Sequence, residues 1–423
     1  MPVPEARPVA GPAPVFPGSV ATRDGLHPTA GRLSGVRVFV LLLNVTFFGS
    51  ERLMVRTAQA FKEDGADVLV ATCDWEFGAI RRELSRRSIA YSDIVMRGHF
   101  TKHGGPRRVA RLWFEAFRSA LRLVRTALRF APTHIVIPDE TILLYAIPAL
   151  LLRGRTVAVY VPATPPDAER AARSLPYRLF LRYVMGRLVD VIIANSRYTI
   201  GQLRPHLPGD TDIRLVPCCV PAREEAGQDA VLETIDPRRF NVVFVGRLSQ
   251  QKGVDLLIDA ARQLAATHPD VDVLLAGPSS GTDEELAWRT RVNDEGLGER
   301  VRFIGGITDV PRLLRLASVH VMPSRWAESF GLVVLEAKNA GVPSVVTPAG
   351  ALAELVRHKV DGFVCRDVSA EALVEGIEFF LRDRAARAAA GDEAAASAGA
   401  YGIDRFKDQW ASVLAPGQTD ARG

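Results

Sequence analysis

The chain has 423 residues, of which 48% are hydrophobic, and a formal net charge of +5. This composition excludes an intrinsically disordered chain and is sufficient for the cores of two ordinary domains. No apolar run reaches the roughly 18–20 residues of a membrane-spanning helix, and no secretory signal or metal-type cysteine spacing is present, so we expect a cytoplasmic protein.

The predicted elements alternate between strands and helices along most of the chain. Residues 1–34 are rich in Pro, Ala and Gly, and we expect a disordered tail. The alternation that follows predicts parallel sheets covered by helices on both faces. In order, the first half contains strand 36–43, helix 51–64, strand 67–72, helix 106–130, strand 133–138, helix 141–152, strand 156–161, helix 168–185 and strand 190–195.

Residues 205–235 collect Pro, Gly and Asp without periodicity, and they predict the connection between two domains. A second alternation of strands and helices runs from Asn241 to about residue 380. An Ala-rich stretch follows, and residues 401–414 then predict a helix that carries Phe406, Trp410 and Leu414 on one face.

Two carboxylates are eight residues apart in the second half of the chain. Glu328 follows a predicted buried strand, 319–322, and Glu336 lies in the helix after it. Between them, Gly331 permits close approach to the backbone, and the first-turn amides of residues 331–333 form an anion site. At a rise of roughly 1.5 Å per residue, Glu336 would reach a ribose when a diphosphate sits on those amides. The alternative is that both are ordinary surface acids.

A second candidate turn follows the predicted strand at 241–245. It contains Gly246, Arg247, Lys252 and Gly253, and the two cations would neutralise a diphosphate. Open parallel sheets bind ligands at the carboxyl ends of their strands. Gly277 ends another predicted strand and is expected to line the same pocket.

Together these motifs resemble the retaining family-4 glycosyltransferases of the GT-B fold. The shared motifs are Gly-Arg-Leu…Lys-Gly and Glu-x7-Glu, with further similarity at residues 303–305, 349–354 and 361–363. The resemblance implies an α/β GT-B fold, with two Rossmann-like doubly wound domains and a cleft between them. It implies an acceptor-side domain over 35–215, to which a helix at 401–416 returns, and a nucleotide-sugar domain over 225–400.

The activity that the resemblance implies is transfer of a hexose from a nucleotide sugar to a glycan or lipid-linked acceptor, in cell envelope or polysaccharide biosynthesis. No cofactor, metal or nucleic acid is expected. The implied catalytic residues are Glu328, Arg247 and Lys252. The implied donor contacts are Gly246, Arg247, Lys252, Gly277, Glu328, Ser329, Phe330, Gly331, Leu332, Val333 and Glu336.

Candidate acceptor-side residues come from two turns in the first half. Gly49 and Ser50 resemble part of the family's Gly-Gly-x-Glu-Arg turn; the alternative is a helix start with Ser50 as its cap. Asp139 and Glu140 follow a predicted strand and would orient an acceptor hydroxyl or act as its base, or else cap the next helix. The family's histidine after strand 156–161 is absent from this sequence.

Two alternative functions remain open from the sequence. A nucleotide-sugar 2-epimerase would need acid–base residues at the sugar and no acceptor. A degenerate, non-catalytic subunit is favoured only by the missing histidine and the altered glycine turn. The pairs Asp210/Asp212 and Asp270/Asp272 are poorly placed for a metal, because one lies among Pro and Gly and the other flanks a strand.

Residues 106–130 predict an amphipathic helix. Its arginines recur at helical spacing, and an apolar face contains Trp113, Phe114, Phe117, Leu121, Val124 and Leu128. Basic and aromatic residues on one helix are typical of contact with an anionic membrane surface, here the inner face of the cell membrane. The alternative is that the apolar face packs on the first sheet while the arginines are solvated.

Overall fold

The computed structural model describes residues 31–43, 49–73, 78–94, 106–139, 143, 154–161, 178–219, 229–278 and 281–415. Contacts divide the chain into one unit formed by 1–158 with 411–423, and a second formed by 159–410. The domain limits predicted above remain predictions. Among the described residues, no helix has both the length and the apolar character needed to cross a bilayer.

The first sheet has seven strands in the order β3-β2-β1-β4-β5-β6-β7. These strands are β1 Arg37–Leu42, β2 Asp67–Thr72, β3 Ala90–Asp93, β4 His134–Ile137, β5 Thr156–Val161, β6 Val191–Ala194 and β7 Ile213–Leu215. The described helices of this half are α1 Gly49–Glu63, α2 Ala79–Arg86, α3 Pro106–Phe130, a π-helical turn Phe180–Met185 that continues as α4 Gly186–Leu188, and α5 Arg197–Leu203.

The second sheet has six strands in the order β10-β9-β8-β11-β12-β13. These are β8 Phe240–Val245, β9 Val271–Ala276, β10 Val301–Gly305, β11 Val319–Met322, β12 Ser344–Val346 and β13 Gly362–Val364. Its helices are α6 Val254–Thr267, α7 Asp283–Asp294, α8 Val310–Arg315, α9 Leu332–Asn339, α10 Leu352–Leu355, α11 Ala370–Arg382, α12 Arg384–Ala398 and α13 Ile403–Leu414.

Both faces of the second sheet are apolar, which is why its strands read as continuous hydrophobic runs. Val242 and Phe244 of β8 enter one core cluster, whereas Val243 enters the cluster on the opposite face. Helices cover each face, as a parallel sheet requires. The expected α/β class with two parallel, doubly wound sheets is therefore confirmed.

Several boundaries differ from the sequence predictions. The predicted tail extends too far, because Leu33 is buried and Arg32 pairs with Asp64 at 3.2 Å. The predicted connection at 205–235 contains strand β7, which pairs with β6 in parallel register. Strand β3 and helix α2 were not predicted. Residues 1–30 and most of the predicted helix 141–152 lie outside the described residues.

Helix α3 has the predicted bounds, but its buried face is not the one that the apolar pattern favours. Ser119, Leu123 and Ala127 are buried against the first unit. Phe117, Leu121 and Leu128 are instead 67%, 40% and 55% exposed. The alternative in which this apolar face packs inward is therefore wrong for these three residues. The side chains of residues 106–116 lie outside the description.

Candidate functional site

Glycines allow the loops that follow strands β8, β9 and β11 to pack closely against one another. Gly253 has φ +73, and a Cβ there would lie 1.9 Å from the carbonyl oxygen of Pro323, just after β11. A Cβ on Gly277 would lie 2.0 Å from the carbonyl oxygen of Gly246. Only glycine permits backbones this close. The predicted turns at Gly246–Gly253 and Gly277 are thus brought together with the loop that carries Glu328.

An ion pair joins these loops. Lys252 Nζ lies 2.6 Å from Glu328 Oε1, although the two residues are 76 positions apart in the sequence. The buried hydroxyl of Ser324 donates to the same oxygen at 2.5 Å. Two donors therefore fix one carboxylate oxygen of Glu328, and the side chain is held in a single orientation.

The backbone of Glu328 is fixed as firmly as its side chain. Its N–H donates to Ala349 at 3.2 Å, and its carbonyl accepts from Ala351 N at 2.7 Å. Gly350, at φ +67, lies between these contacts, and a Cβ on it would be 2.3 Å from the Glu328 carbonyl oxygen. Ser324 and Gly350 were not predicted to be site residues. Their signals were a serine four residues before the acid and the glycine in the 349–354 motif.

Gly331, which has φ +116, immediately precedes the first residue of helix α9. The N–H groups of Leu332 and Val333 belong to the first turn of the helix and have no intrahelical acceptor there. They provide positive partial charge close to the loop of Glu328. Glu336 lies about one turn further along α9 and is partly buried. The start of α9 thus lies between the two acids, and its role as an anion site stays a prediction.

Lys338, in the last turn of helix α9, anchors this helix to neighbouring elements. The ammonium group of Lys338 is buried, 2.8 Å from Asp361 Oδ2 and 2.9 Å from Ser397 Oγ. Burial lowers the pKa of Lys338, and its bond to Asp361 opposes that shift. Asp361 also pairs with Arg357 at 2.8 Å, so the buried carboxylate has two cationic partners. These contacts attach the site helix to β13 and α12.

The second predicted cation has a different environment. Arg247 is exposed and makes no hydrogen bond or ion pair with any residue that the structure describes. Its guanidinium is therefore available to a ligand. The nearby Arg325 is instead paired with Asp255 at 2.5 Å. Lys252 is thus held by Glu328, whereas Arg247 has no such partner among the described residues.

Phe330 lines a cavity of about 440 Å³. Phe330 is buried and its ring is 6.0 Å from that of Tyr401. Glu354 lines the cavity, and its two oxygens accept from the backbone N–H groups of Arg197 at 2.9 Å and Tyr198 at 2.5 Å. Burial raises the pKa of Tyr401, and the charge of Glu354 adds to that shift. The carboxylate of Glu354 therefore accepts hydrogen bonds from first-turn amides of α5. The hydroxyl of Ser196 also accepts from Thr199 N at 3.1 Å at the same helix start.

The predicted acceptor-side residues lie in the first unit and are described by themselves. Gly49 is exposed and begins α1. Ser50 is the second residue of that helix and its side chain lies outside the description, so both its acceptor-side role and its capping role stay predictions. Asp139 is partly buried just beyond β4. Glu140, and the loop at 162–166 that lacks the histidine, lie outside the described residues.

Each Asp-x-Asp pair contains at least one aspartate that forms an ion pair. Asp272 pairs with Arg239 at 2.6 Å, and Asp270 lies 3.8 Å from the same guanidinium. Asp212 pairs with Arg214 at 2.9 Å. Within the part of the chain that the structure describes, no group of three His, Cys, Asp or Glu side chains is arranged to hold a metal ion.

Comparison with known families matches both halves of the chain. The model described as Glycosyltransferase Family 4 matches residues 48–224. The model described as Glycosyl transferases group 1 matches residues 231–397. The second match contains both glutamates, both predicted cations and all the glycines of the site described above.

Curated relatives are similar over part of their length. The lipopolysaccharide core biosynthesis mannosyltransferase LpsB of Rhizobium meliloti is 36% identical over 162 residues, which cover 37% of this chain and 45% of that protein. The D-inositol 3-phosphate glycosyltransferase of Pseudarthrobacter chlorophenolicus is 33% identical over 234 residues, covering 52% and 54%. The matched stretches thus span about half the length of these relatives.

A solved structure is similar over most of the chain. The crystal structure of Anabaena Alr3699/HepE in complex with UDP and glucose has a TM-score of 0.74 and 21% sequence identity. The match covers 90% of this chain and 100% of that one. At this level of identity the likeness establishes the fold, which has the same two-sheet architecture.

Proposed function

Because this chain belongs to the family-4 glycosyltransferases of the GT-B fold, we propose that it transfers a hexose from a nucleotide sugar to a glycan or lipid-linked acceptor with retention of configuration. The observation that carries the proposal is the Lys252–Glu328 ion pair beside the start of α9. It combines a cation, an anion site and a fixed carboxylate within one set of loops.

In the proposed donor site, each of these groups binds a different part of the nucleotide sugar. The diphosphate lies on the amides of Leu332 and Val333, where Arg247 and Lys252 supply positive charge. Glu336 binds the ribose hydroxyls, and Glu328 binds hydroxyls of the transferred sugar. Support for a nucleotide donor also comes from the Anabaena protein, which was crystallised with UDP and glucose and with UDP-glucose.

In the proposed reaction, the bond between C1 of the sugar and the phosphate oxygen breaks, and its electron pair stays on that oxygen. An acceptor oxygen bonds to C1 on the same face, and its proton passes to the departing phosphate. Negative charge therefore grows on the leaving group, where preorganised cations and amides stabilise it most. These groups supply the countercharge that a metal would bring, so we propose that no metal is needed.

The proposed acceptor belongs to cell envelope or polysaccharide synthesis. Relatives named for lipopolysaccharide core biosynthesis support a glycan or lipid-linked acceptor. We assign the acceptor to the domain predicted over 35–215, with Gly49 and Asp139 as candidate contacts, and place the reaction in the cytoplasm.

The test is release of free nucleoside diphosphate from UDP-hexoses and GDP-hexoses, with cell lipid and glycan fractions as acceptors. We expect release that depends on an acceptor, and a reduction of about 10²–10³ in Lys252→Met. Asp255→Asn is the matched control, because it breaks the neighbouring ion pair with Arg325 and leaves the proposed donor contacts in place.

The same assay distinguishes the two alternatives. Conversion of the nucleotide sugar to an epimer without any acceptor would contradict transfer and favour an epimerase. Absence of turnover with every donor and fraction, together with intact nucleotide binding, would favour a non-catalytic subunit.

A further inference from the structure

The outward surface of α3 has an apolar stripe that no part of the described chain covers. Phe117, Leu121 and Leu128 are exposed, and the partly buried Val124 lies between them. Their spacing of four, three and four residues aligns them along roughly 16 Å of the helix. Three large apolar side chains in one exposed row are more than the scattered apolar residues of an ordinary surface.

A row of arginines runs beside this stripe. It consists of exposed residues at the same helical spacing: Arg118, Arg122, Arg125 and Arg129. Arg122, Arg125 and Arg129 form no ion pair with any residue in the described part of the chain. At 3.6 residues per turn, the centre of this row is roughly 100° around the helix axis from the centre of the apolar stripe.

The buried contacts of α3 determine the directions in which the apolar stripe and the arginine row face. Leu123 and Ala127 are buried, Thr126 Oγ1 lies 3.5 Å from Ser92 Oγ of β3, and the ring of Phe130 lies 6.2 Å from that of Phe39 in β1. The inward direction is thus set by the sheet. The apolar and cationic rows lie on either side of the opposite, outward direction, so a flat surface laid on the helix touches both at once.

We propose that this outward surface of α3 binds an anionic lipid bilayer. A bilayer offers both partners in the geometry that the helix presents, because acyl chains take the apolar row while headgroup phosphates meet the arginines. A protein partner would need matching carboxylates and roughly 800 Å² of contact on each side. A stripe only about 16 Å long and one side chain wide does not provide such an interface.

The proposal rests on the helix surface alone and is independent of the sugar chemistry. It is therefore tested by vesicle binding, which needs no turnover. The assay is co-sedimentation of the full chain with phosphatidylglycerol vesicles and with phosphatidylcholine vesicles, at low and high salt. We expect binding to the anionic vesicles only, weakened by salt, because screening lengths shrink to about 3 Å at 1 M.

Two triple variants measure the contributions of the arginine row and the apolar stripe to vesicle binding separately. Arg122→Gln/Arg125→Gln/Arg129→Gln should weaken partition about 100-fold, since each arginine near anionic lipid contributes about fivefold. Phe117→Ser/Leu121→Ser/Leu128→Ser should weaken it about tenfold or more. All six side chains are exposed, so unchanged thermal unfolding verifies that the fold is intact.

The matched control removes the same charge elsewhere. Arg238→Gln/Arg366→Gln/Arg382→Gln replaces three exposed arginines of the second unit, none of which belongs to α3, and should leave binding within about threefold. Equal losses in both arginine triples would overturn the proposal, since net charge alone would then explain binding. Full binding by the serine triple would also overturn it and point to a soluble polyanion.

Discussion

Glu328→Gln should strengthen the binding of a nucleoside diphosphate and at the same time reduce turnover. The substitution keeps the size of the side chain and removes its charge. Lys252 Nζ lies 2.6 Å from Glu328 Oε1, and the two side chains are 22% and 15% exposed. A diphosphate bound by Lys252, as proposed, would therefore compete with Glu328 for its ammonium group.

The expected change in affinity follows from the solvent exposure of the Lys252–Glu328 ion pair. Water reaches both side chains, so we take the pair to be worth about 1 kcal/mol, the upper end of the range for accessible ion pairs. Removing that competition should tighten binding of a nucleoside diphosphate about fivefold. Turnover should fall about 10²–10³, because the carboxylate proposed to hold the sugar hydroxyls would be lost at the reacting centre.

Calorimetric titration with UDP and single-turnover measurement with the preferred donor give the two quantities separately. Asp255→Asn is again the control, because it removes one negative charge and breaks the neighbouring pair with Arg325. If it tightens UDP binding as much as Glu328→Gln, the effect is one of general charge. Weaker UDP binding by Glu328→Gln would refute the competition, because it would mean that the carboxylate assists the diphosphate.

The other predictions concern single groups. Arg247→Ala should reduce turnover about 10²–10³ without changing thermal stability, because its side chain is exposed; Arg238→Ala, also exposed, serves as control, and equal turnover in both would remove Arg247 from the site. Glu336→Ala should weaken donor affinity more than it slows the chemical step, and the reverse result in binding and single-turnover assays would exchange the roles of the two glutamates. A chelator should leave at least about half of the activity, whereas full loss restored by magnesium or manganese would establish a metal. Burial lowers the pKa of His320 to about 3, so its contribution to stability is complete above pH 6.5 and declines as the pH falls toward 3; about 2 kcal/mol should be lost between pH 7 and pH 5. Urea unfolding of wild type and His320→Gln measures this loss, and identical pH dependence would contradict it.

Strands buried on both faces could be predicted from the sequence almost to the residue. The bounds of β2 and β5 agree with the predictions because each is a continuous apolar run. Strand β3 could not be predicted this way, because this edge strand carries Ser92 and Asp93 and has no apolar alternation. Strand β7 is three residues long and lies between prolines, so its sequence resembles a loop.

The local parts of the site were predictable, and its connections were not. The turn at 246–253 and the Glu-x7-Glu helix start follow from short motifs. The Lys252–Glu328 contact depends on β8 and β11 being neighbours in the sheet, which no local pattern specifies. Helix α3 illustrates the same limit, because its most apolar face is outward and small residues such as Ala127 face the sheet.

The anchoring of α9 by Lys338 has a consequence for local opening of the chain. An isolated helix of eight residues would fray in water. Here its last turn is bonded to Asp361 and Ser397, so α9 cannot open without exposing a buried charge. Its amide hydrogens should consequently exchange with solvent only when β13 and α12 also separate. The start of α9, the proposed anion site, should therefore keep its shape, and its rigidity comes from a lysine near the far end of the helix.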